Sequence, residues 1–372
     1  MKPDNYTYRE IRQQPSVWKK TYGIVRSRKG EIASFLHRYL EDGYSVVLTG
    51  AGTSAYIGDA LECALGGTLF EGARSIATTD IITDPSIYFG AKSKVLLVSF
   101  ARSGNSPESV GAVKSVEKTA GKVAHVFITC NAKGQLAGMK ADNILTILLP
   151  PETDDKSLAM TSSYSSMLLT CSLISRIDDI EAEEKHIEAL SDGVEAAMNR
   201  YEDKLREIAG LGFKRAVFLG SGPLKGVAEE SRLKLQELTD GTVMCAFDSF
   251  VGFRHGPKAV VHDDTLLVYL MSPDPAVRRY EMDLVNQIGS RNAVQGTVMV
   301  CRGAAVAAEK APSLTIETCL PDSMPQRYGI AAYIFVAQLL GTFKSLDLGL
   351  NPDTPSVSGN ISRVVEGVTL YI

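Results

Sequence analysis

The chain repeats itself at an interval of about 170 residues, and this duplication limits the folds that it can adopt. LTGAG at 48–52 matches LGSG at 219–222, and VLLVSF at 95–100 matches TLLVYL at 265–270, both 170 positions apart. Two Leu-Pro sequences, which end at Pro150 and Pro321, are 171 positions apart. The nearly constant offset predicts two copies of one structural unit, at about residues 45–170 and 215–345.

Each copy alternates short apolar runs with amphipathic stretches. In the first copy the runs lie at 44–50, 94–99, 124–129 and 143–149, and they are continuous and rich in β-branched residues. Continuous runs are typical of parallel strands covered on both faces, and the intervening segments suit crossover helices. The sequence therefore predicts an α/β fold of two tandem domains, each a parallel sheet flanked by helices in a flavodoxin-like three-layer sandwich.

The segments that flank the two copies divide the chain further. A charged helical linker is expected between the copies, and the tail carries Pro, Gly and Asn signals. We expect an N-terminal helical segment at 1–42, a first domain at 43–175, the linker at 176–212, a second domain at 213–345 and the tail at 346–372.

Charge and hydropathy exclude several classes of partner. The net charge is −4, the pI is about 5.8, and no Lys/Arg-rich block is present, so neither nucleic acid nor an acidic membrane is an expected partner. The polar N-terminus has no apolar core, so we expect no secretory signal and a cytoplasmic protein. The apolar run at 329–341 includes Gln338 and is too short for a membrane span, so it is predicted to be a buried helix.

Cysteine and histidine patterns favour neither disulfides nor a metal. The six cysteines form no CxxC pair, and several lie in apolar runs, so they are predicted to be reduced and buried. The five histidines show no HxxxH or HxxE spacing, which disfavours a zinc site built by the protein.

A glycine-containing loop follows the first predicted strand. Ligands of open parallel sheets bind at the carboxyl ends of the strands. Gly52 lets the backbone approach an anion, and Thr53 and Ser54 add hydroxyl donors at a helix start. The same residues also fit the dinucleotide pattern GxGxxA and a plain tight turn, and the loop alone does not separate these readings.

The next loop, SFARSGNSP at 99–107, favours phosphate. Pro107 suits the first position of a helix, which places Ser106 at the N-cap. A serine-rich loop that opens a helix is typical of a phosphate-monoester site. A dinucleotide fold requires an acidic residue about 20 residues after the glycines, and residues 70–79 offer only Glu71. The predicted phosphate ligands of this loop are Arg102, Ser103, Asn105 and Ser106.

A third hydroxyl cluster, MTSSYSS at 160–166, follows the fourth strand of the first copy. Its residues, Ser162 and Ser163 among them, suit either a helix cap or contacts with sugar hydroxyls. The second copy has no serine cluster after its second matching strand and reads YLMSPDP at 269–275. We therefore expect one copy to bind phosphate and the other to supply different chemistry.

The second copy carries candidate acid–base residues. Lys234 and Glu237 lie one helical turn apart, so their side chains share a face, and His255 follows in a turn-rich stretch. A carboxylate, an ammonium and an imidazole at one place suit proton transfer between adjacent sugar carbons. Taken alone, such a set is more often a solvated helix face and a loop histidine.

Together these motifs resemble the sugar isomerase (SIS) domain family over essentially the whole chain. GAGTS at 50–54 and SGNS at 103–106 resemble the sugar-phosphate loops in the isomerase half of glucosamine-6-phosphate synthase. EIRQQP at 10–15, KLQE at 234–237 and HGP at 255–257 resemble its EIxxQP, KLKE and HGP motifs. The combination of KLxE, HGP and these loops is specific, and it implies two tandem SIS domains.

The resemblance implies a role for each motif. Glu237 is expected to move a proton between C1 and C2, with Lys234 beside it, and His255 to open the sugar ring. In the family this histidine comes from the neighbouring subunit, which implies a homodimer that shares His255. Arg363 falls in the tail, where the synthase has a lysine, and the tail is expected to close the site. No metal or redox cofactor is implied.

Other features separate the chain from the synthase. The spacing from Glu237 to His255 is longer than in the synthase, and no glutamine amidotransferase domain precedes residue 10, so we expect the chain to make no ammonia of its own. SFARSGNSPES at 99–109 and RVVEGVT at 363–369 more closely resemble the branch called galactosamine-6-phosphate deaminase or tagatose-6-phosphate ketose/aldose isomerase.

The resulting hypothesis is deamination of galactosamine 6-phosphate, with water, to tagatose 6-phosphate and ammonia. One alternative is aldose–ketose isomerisation of a sugar phosphate without loss of ammonia. Another is a sugar-phosphate sensor without turnover, although such sensors usually carry a DNA-binding or partner-binding segment and need no catalytic glutamate.

Overall fold

The computed structural model describes residues 3–303, 308–363 and 368–371, which form two compact units. The first unit comprises Ser16–Asp155, Met160–Glu188 and Ser362–Ile372, and it contains the first sequence copy. The second unit comprises Met1–Pro15, Lys156–Ala159 and Ala189–Ile361, and it contains the second copy.

The first unit is built on a parallel sheet of five strands in the order β2-β1-β3-β4-β5. The strands are β1 Ser45–Thr49, β2 Arg74–Ser75, β3 Lys94–Ala101, β4 Lys122–Thr129 and β5 Ile144–Leu148. The helices up to the end of the linker are α1 Tyr6–Ser27, α2 Lys29–Glu41, α3 Thr53–Leu61, α4 Thr78–Thr83, α5 Pro107–Thr119, α6 Gln135–Gly138, α7 Ser162–Ile174 and α8 Ile180–Ala209.

The second unit is built on another parallel sheet of five strands, in the order β10-β9-β8-β6-β7. The strands are β6 Arg215–Gly220, β7 Met244–Asp248, β8 Thr265–Leu270, β9 Gly296–Cys301 and β10 Leu314–Glu317. The helices are α9 Pro223–Leu238, α10 Phe250–Phe253, α11 Pro275–Arg291, α12 Gln326–Gly329 and α13 Ile334–Asp347.

The two sheets have the same topology, which confirms the predicted α/β fold of two parallel sheets. Counted from the start of each copy, both orders read 2-1-3-4-5, the flavodoxin-like order of doubly wound sheets. The strand register also repeats, because Thr49 is paired with Ser99 and Leu219, 170 positions on, is paired with Tyr269. Strand residues in one copy therefore have identifiable counterparts in the other.

The glycine loops after β1 and β6 have the same backbone geometry. Gly52 has φ 53° and ψ −127°, and Gly222 has φ 55° and ψ −128°, a left-handed conformation that favours glycine. A Cβ atom on Gly50 would lie 2.4 Å from the carbonyl carbon of Ser54, and one on Gly220 would lie 2.5 Å from that of Leu224. The matched glycines are thus required for the same tight entry into a helix.

Apolar residues from strands and covering helices form the core of each unit. In the first unit Val47, Leu97 and Phe127 of the sheet pack with Val113 and Val116 of α5. The apolar run at 329–341 is buried, as predicted, but it is interrupted by a 3₁₀ turn at Ile330–Ala332. The stretch Gln326–Asp347 has the length and apolarity of a membrane span, yet 94% of its most apolar window lies inside the protein.

Two local predictions need correction. Cys63 is exposed and Cys245 and Cys319 are only partly covered, so the expectation that all six cysteines are buried is wrong, although all six are free thiols. Cys63 directly follows the end of α3, where the chain turns towards solvent. The sequence interpretation also missed β2, because a strand of two residues at a sheet edge has no apolar run.

Candidate active site

In the first unit, two loops meet at the point where the strand order reverses. The loop at 50–54 follows β1, and the loop at 102–106 follows β3, which is its neighbour in the sheet. The crossovers leave such neighbouring strands on opposite sides, so that a crevice opens at their carboxyl ends. We call these segments the first loop pair. Gly52, Thr53 and Ser54 lie in one loop of the pair, and Arg102, Ser103, Asn105 and Ser106 lie in the other.

Local hydrogen bonds hold the loop at 102–106. Ser106 is the N-cap of α5, as predicted, and its Oγ accepts a bond of 3.3 Å from the amide of Ser109. The Ser103 Oγ accepts from the amide of Asn105. The Asn131 side chain donates to the Ser103 carbonyl at 3.1 Å, and Gly104 has a φ of 64°. The loop is thus braced from its own residues and from the segment after β4.

The tail residue Arg363 is bound to the segment that follows β5. Its guanidinium donates to the carbonyl oxygen of Asp155 at 2.6 and 2.9 Å and to Asp154 Oδ1 at 2.8 Å. Arg102 in turn donates to the carbonyl oxygen of Arg363 at 2.6 Å. Arg363 therefore connects the loop at 102–106 to the 154–155 segment. Residues 364–367 of the predicted tail motif lie outside the described residues.

The third hydroxyl cluster lies at the start of α7 and faces a buried carboxylate. The hydroxyls of Ser162 and Ser163 both donate to Asp155, the latter at 2.6 Å. The amides of Thr161 and Ser163 donate to Oδ2 of the same carboxylate, the oxygen that also accepts the Ser163 hydroxyl, at 2.8 and 2.9 Å. All four residues are fully buried. Of the two predicted roles, the geometry favours the structural one, in which an aspartate of the preceding loop caps the helix. Contact with sugar stays a prediction.

In the second unit, α9 carries the predicted Lys234 and Glu237 on one face. The Lys234 Nζ lies 2.7 Å from Glu237 Oε2 and 3.4 Å from Glu230 Oε1. The Lys234 and Glu230 side chains are fully buried, whereas that of Glu237 is 21% exposed. Glu237 is thus the solvent-accessible end of a buried row of three charges. Sequence reasoning missed Glu230, although its spacing of one turn before Lys234 is a signal for it.

The charge of Lys234 depends on its two neighbours. Burial by itself would lower the pKa of this ammonium, but Glu230 and Glu237 together raise it above the ordinary 10.5. Lys234 is consequently an ammonium at neutral pH and can donate a hydrogen bond. A fixed cation beside a carboxylate can stabilise negative charge that develops on a substrate oxygen or nitrogen.

The position of α9 depends on a close contact with α13. A Cβ atom on Gly341 would lie 2.8 Å from Leu238 Cδ1 and 3.3 Å from the Lys234 carbonyl oxygen. Glycine therefore lets the two helices approach closely. At the other end, the side chain and amide of Ser358 bind Asp240, which directly follows α9 and its cap, at 2.9 and 3.0 Å. The tail residue Ser358 and the helix α13 thus together hold the helix that carries Lys234 and Glu237.

His255 lies in an exposed turn after α10. Its backbone amide donates to the Gly252 carbonyl, and the next residue, Gly256, has a φ of 119°. Among the described residues, no hydrogen bond or ion pair joins the imidazole to Lys234 or Glu237. The role of His255 in the site, and its contribution to the site of a neighbouring subunit, stay predictions.

Sequence reasoning also missed three hydroxyls beside the first loop pair. Thr49, Ser99 and Thr78 are at most 3% exposed, and none of their hydroxyls has a hydrogen-bond partner within the described part of the chain. Thr49 and Ser99 are register partners, so both point to the sheet face that α4 and α5 cover. Their counterparts in the second copy are Leu219 and Tyr269, which belong to the apolar core. At these two matched strand positions, the first copy has hydroxyls and the second has apolar core residues.

Comparison with known proteins shows to which family the chain belongs. Residues 39–175 match the SIS domain family. The chain is 34% identical to the D-galactosamine-6-phosphate deaminase AgaS of Escherichia coli, over 98% of this chain and 95% of that protein. It is 36% identical to the protein of the same name from Shewanella sp. (strain ANA-3), over 98% of this chain and 92% of that one.

A solved structure covers the chain to a similar extent. The tagatose-6-phosphate ketose/aldose isomerase from Escherichia coli is 33% identical and superposes with a TM-score of 0.89, covering 99% of this chain and 96% of that one. The fold and the loop motifs thus define a protein with two tandem SIS domains. The chain belongs to the SIS family, in the branch of the AgaS deaminases and tagatose-6-phosphate isomerases.

Proposed function

We propose that this chain is a sugar-phosphate enzyme that deaminates galactosamine 6-phosphate, with water, to tagatose 6-phosphate and ammonia. The observation that carries this proposal is the row of Glu230, Lys234 and Glu237, in which only Glu237 reaches solvent beside a buried ammonium. Support comes from relatives at 34% and 36% identity that are named D-galactosamine-6-phosphate deaminase.

Binding of the substrate is assigned to the first loop pair. The amides at the start of α3 and the hydroxyls of Thr53, Ser54, Ser103 and Ser106 would hold the 6-phosphate. Donors at helix N-termini suit a dianion, because the partial positive charge of the helix end adds to the hydrogen bonds.

Proton transfer is assigned to Glu237. After ring opening, which we assign to His255 of a neighbouring subunit, the open-chain sugar has an aldehyde at C1 and an amine at C2. Glu237 removes the proton from C2, which gives an enolamine, and returns it to C1. Lys234 stabilises the charge that develops between the two steps. The imine formed at C2 then takes up water and releases ammonia, leaving the C2 ketone of tagatose 6-phosphate.

The test is an ammonia-release assay with galactosamine 6-phosphate and glucosamine 6-phosphate, run beside an assay that interconverts aldose and ketose phosphates. Ammonia release from galactosamine 6-phosphate, with tagatose 6-phosphate as the other product, is the expected result. If no hexosamine phosphate releases ammonia but sugar phosphates interconvert, the second candidate is correct. That candidate, plain isomerisation, is favoured by the 33% identity to a structure named tagatose-6-phosphate ketose/aldose isomerase.

The shared role of His255 can be tested separately. Glu237→Gln and His255→Asn chains are each expected to be impaired, and mixing them after subunit exchange should restore part of the activity, because each heterodimer then contains one intact pair. Mixed chains that stay as inactive as the separate ones would show that His255 acts within its own chain or has no role in ring opening.

A further inference from the structure

A carboxylate is buried in the second unit at the place that corresponds to the phosphate loops of the first. Glu281 lies in the middle of α11 and is 0% exposed. Its Oε2 accepts a hydrogen bond of 2.8 Å from the amide of Ser272, and the Ser221 side chain also donates to the carboxylate. The other oxygen, Oε1, has no hydrogen-bond partner among the described residues.

The two donors come from the two loops that the duplication identifies. Ser221 lies after β6 and corresponds to Ala51, 170 positions earlier, whereas Ser272 lies after β8 and corresponds to Arg102 at the same offset. We call residues 220–224 and 271–274 the second loop pair, by analogy with the first. β6 and β8 are neighbours at the reversal of strand order, just as β1 and β3 are. Glu281 therefore bridges the two loops where an anion would bind in such a sheet.

The counterpart of Glu281 in the first copy is apolar. Both α5 and α11 begin with proline after an N-cap residue, and Val113 occupies the seventh position of α5, as Glu281 does in α11. Val113 is buried in the apolar cluster of its unit. At this helix position the first copy thus has an apolar side chain, whereas the second copy has a buried carboxylate.

We propose that Glu281 is a built-in anion that occupies the second loop pair, on the basis that the first loop pair binds phosphate as proposed above. The first loop pair then binds the phosphate of the substrate, and the second loop pair is occupied by the side chain of Glu281. The loop that Glu281 holds leads directly into α9 at Gly222, so the carboxylate also fixes the start of the helix that carries Lys234 and Glu237.

Hydrogen-bond donors and a cation surround the carboxyl group of Glu281. Burial raises the pKa of this carboxyl above its ordinary value, and hydrogen bonds from Ser221 and the Ser272 amide, together with Arg278 of α11, offset part of that rise. Arg278 lies one turn before Glu281, and its Nε donates to the Ser272 carbonyl at 2.8 Å. The charge of Arg278, the amide of Ser272 and the hydroxyl of Ser221 thus all act on the carboxyl group of Glu281.

The test is chemical rescue of a cavity variant of the full chain. Glu281→Ala removes the carboxylate and leaves the donors, and it is expected to lower Tm by roughly 5 °C or more. Sodium formate at about 100 mM should then raise Tm by roughly 3 °C relative to the same concentration of sodium chloride, because formate binds only the folded state. The wild-type chain should show a clearly smaller gain, since its second loop pair is filled and only the first pair is open to formate.

Two controls decide whether the site selects an anion. Val113→Ala creates a buried cavity at the matching position of the first copy but without the Ser221 and Ser272 donors, so formate should raise its Tm no more than that of the wild-type chain. Formamide has nearly the size of formate but no charge, and it should not rescue Glu281→Ala. If formate has no effect on Glu281→Ala, if formamide acts equally well, or if Val113→Ala responds to the same extent, Glu281 is not a built-in anion.

A variant that does not fold in ordinary buffer would still give an answer. In that case Glu281→Ala is expressed and refolded with formate or formamide; soluble protein with formate alone supports the assignment, and none with either overturns it. Because the readout is Tm or solubility, it does not depend on ammonia release. Rescue without enzymatic activity would contradict the proposed reaction and leave the built-in anion standing.

Discussion

The carboxylate of Glu230 lies 3.4 Å from the ammonium of Lys234, and both side chains are fully buried. This pair is the inner part of a row whose outer member is Glu237. A buried ammonium is stable only with partners that offset its desolvation. Glu230 is therefore a positioning residue, which keeps Lys234 charged and directed towards Glu237.

Glu230→Gln should destabilise the protein and lower the pH at which stability is lost in alkaline solution. We expect the free energy of unfolding at pH 8 to fall by roughly 1.5–3 kcal/mol, as for the loss of a charged hydrogen-bond partner. Because the pKa of Lys234 is raised above 10.5 in the folded protein, its stabilising effect is complete below pH 10.5 and is lost as the pH rises through the folded-state pKa. In Glu230→Gln that loss should begin at a lower pH.

Urea unfolding at a series of pH values from 7 to about 11 measures both effects. The matched control is Glu229→Gln, on the same helix, whose carboxylate lies 4.0 Å from Arg232 and is partly exposed. Equal stability of the two variants at every pH would show that Glu230 does not support Lys234.

Substitutions in the loop at 102–106 can separate helix capping from phosphate binding. Ser106→Ala should cost about 1 kcal/mol of stability through loss of the N-cap, and it should raise KM. Ser106→Asp keeps a good N-cap but repels a phosphate, so it should retain the wild-type Tm and raise KM further. Ser103→Ala should raise KM without a change in Tm, since Ser103 does not cap α5. A wild-type KM in Ser106→Asp would mean that this loop does not bind phosphate.

The buried hydroxyls of Thr49 and Ser99 are expected to serve a ligand or ordered water rather than the fold. Replacing a hydroxyl that has no protein partner is nearly neutral or stabilising. Thr49→Val and Ser99→Ala should therefore keep or raise Tm, while KM for the sugar phosphate rises several-fold. Thr146→Val in β5, which removes another hydroxyl without a partner in the described chain, is the control and should leave KM unchanged. A large loss of Tm with normal KM would place these hydroxyls in a structural role.

Arg363 should act on substrate binding through the tail. Its ion pair with Asp154 is partly exposed on both sides, and such a pair contributes at most about 1 kcal/mol. Arg363→Ala is thus expected to leave Tm nearly unchanged, to raise KM, and to make the tail more sensitive to limited proteolysis. Arg363→Lys should be intermediate, because an ammonium cannot reproduce the forked contacts. The exposed Arg291→Ala is the control. An unchanged KM and unchanged proteolysis in Arg363→Ala would show that the contacts of Arg363 have no role in substrate binding.

The features that could be predicted from sequence are those with a local signal. Continuous apolar runs predicted the eight-residue strand β3 and its neighbouring strands. The sequence Ser106-Pro107 predicted that Ser106 is an N-cap. Lys234 and Glu237 could be placed on one helix face because helical spacing is regular. Because the chain is duplicated, the second sheet could be predicted from the first.

The features that escaped prediction depend on contacts that have no regular sequence spacing. Nothing near Ser162 indicates that its hydroxyl donates to Asp155, because both partners look like ordinary polar residues. Thr49 and Ser99 occur within apolar strands, where a buried hydroxyl has no distinguishing pattern. Glu281 resembles a solvated helix residue until the fold places it under two loops.

The most direct test of the central claim is ammonia release by Glu237→Gln. The amide keeps the shape and the contact with Lys234 but cannot accept the C2 proton, and general base catalysis contributes about 10²–10⁴-fold. We predict that kcat for ammonia release from galactosamine 6-phosphate falls by at least that order while KM stays close to the wild-type value, with Glu229→Gln as the control at full activity. Near-normal turnover by Glu237→Gln would contradict the account, because the proton would then be moved by another group.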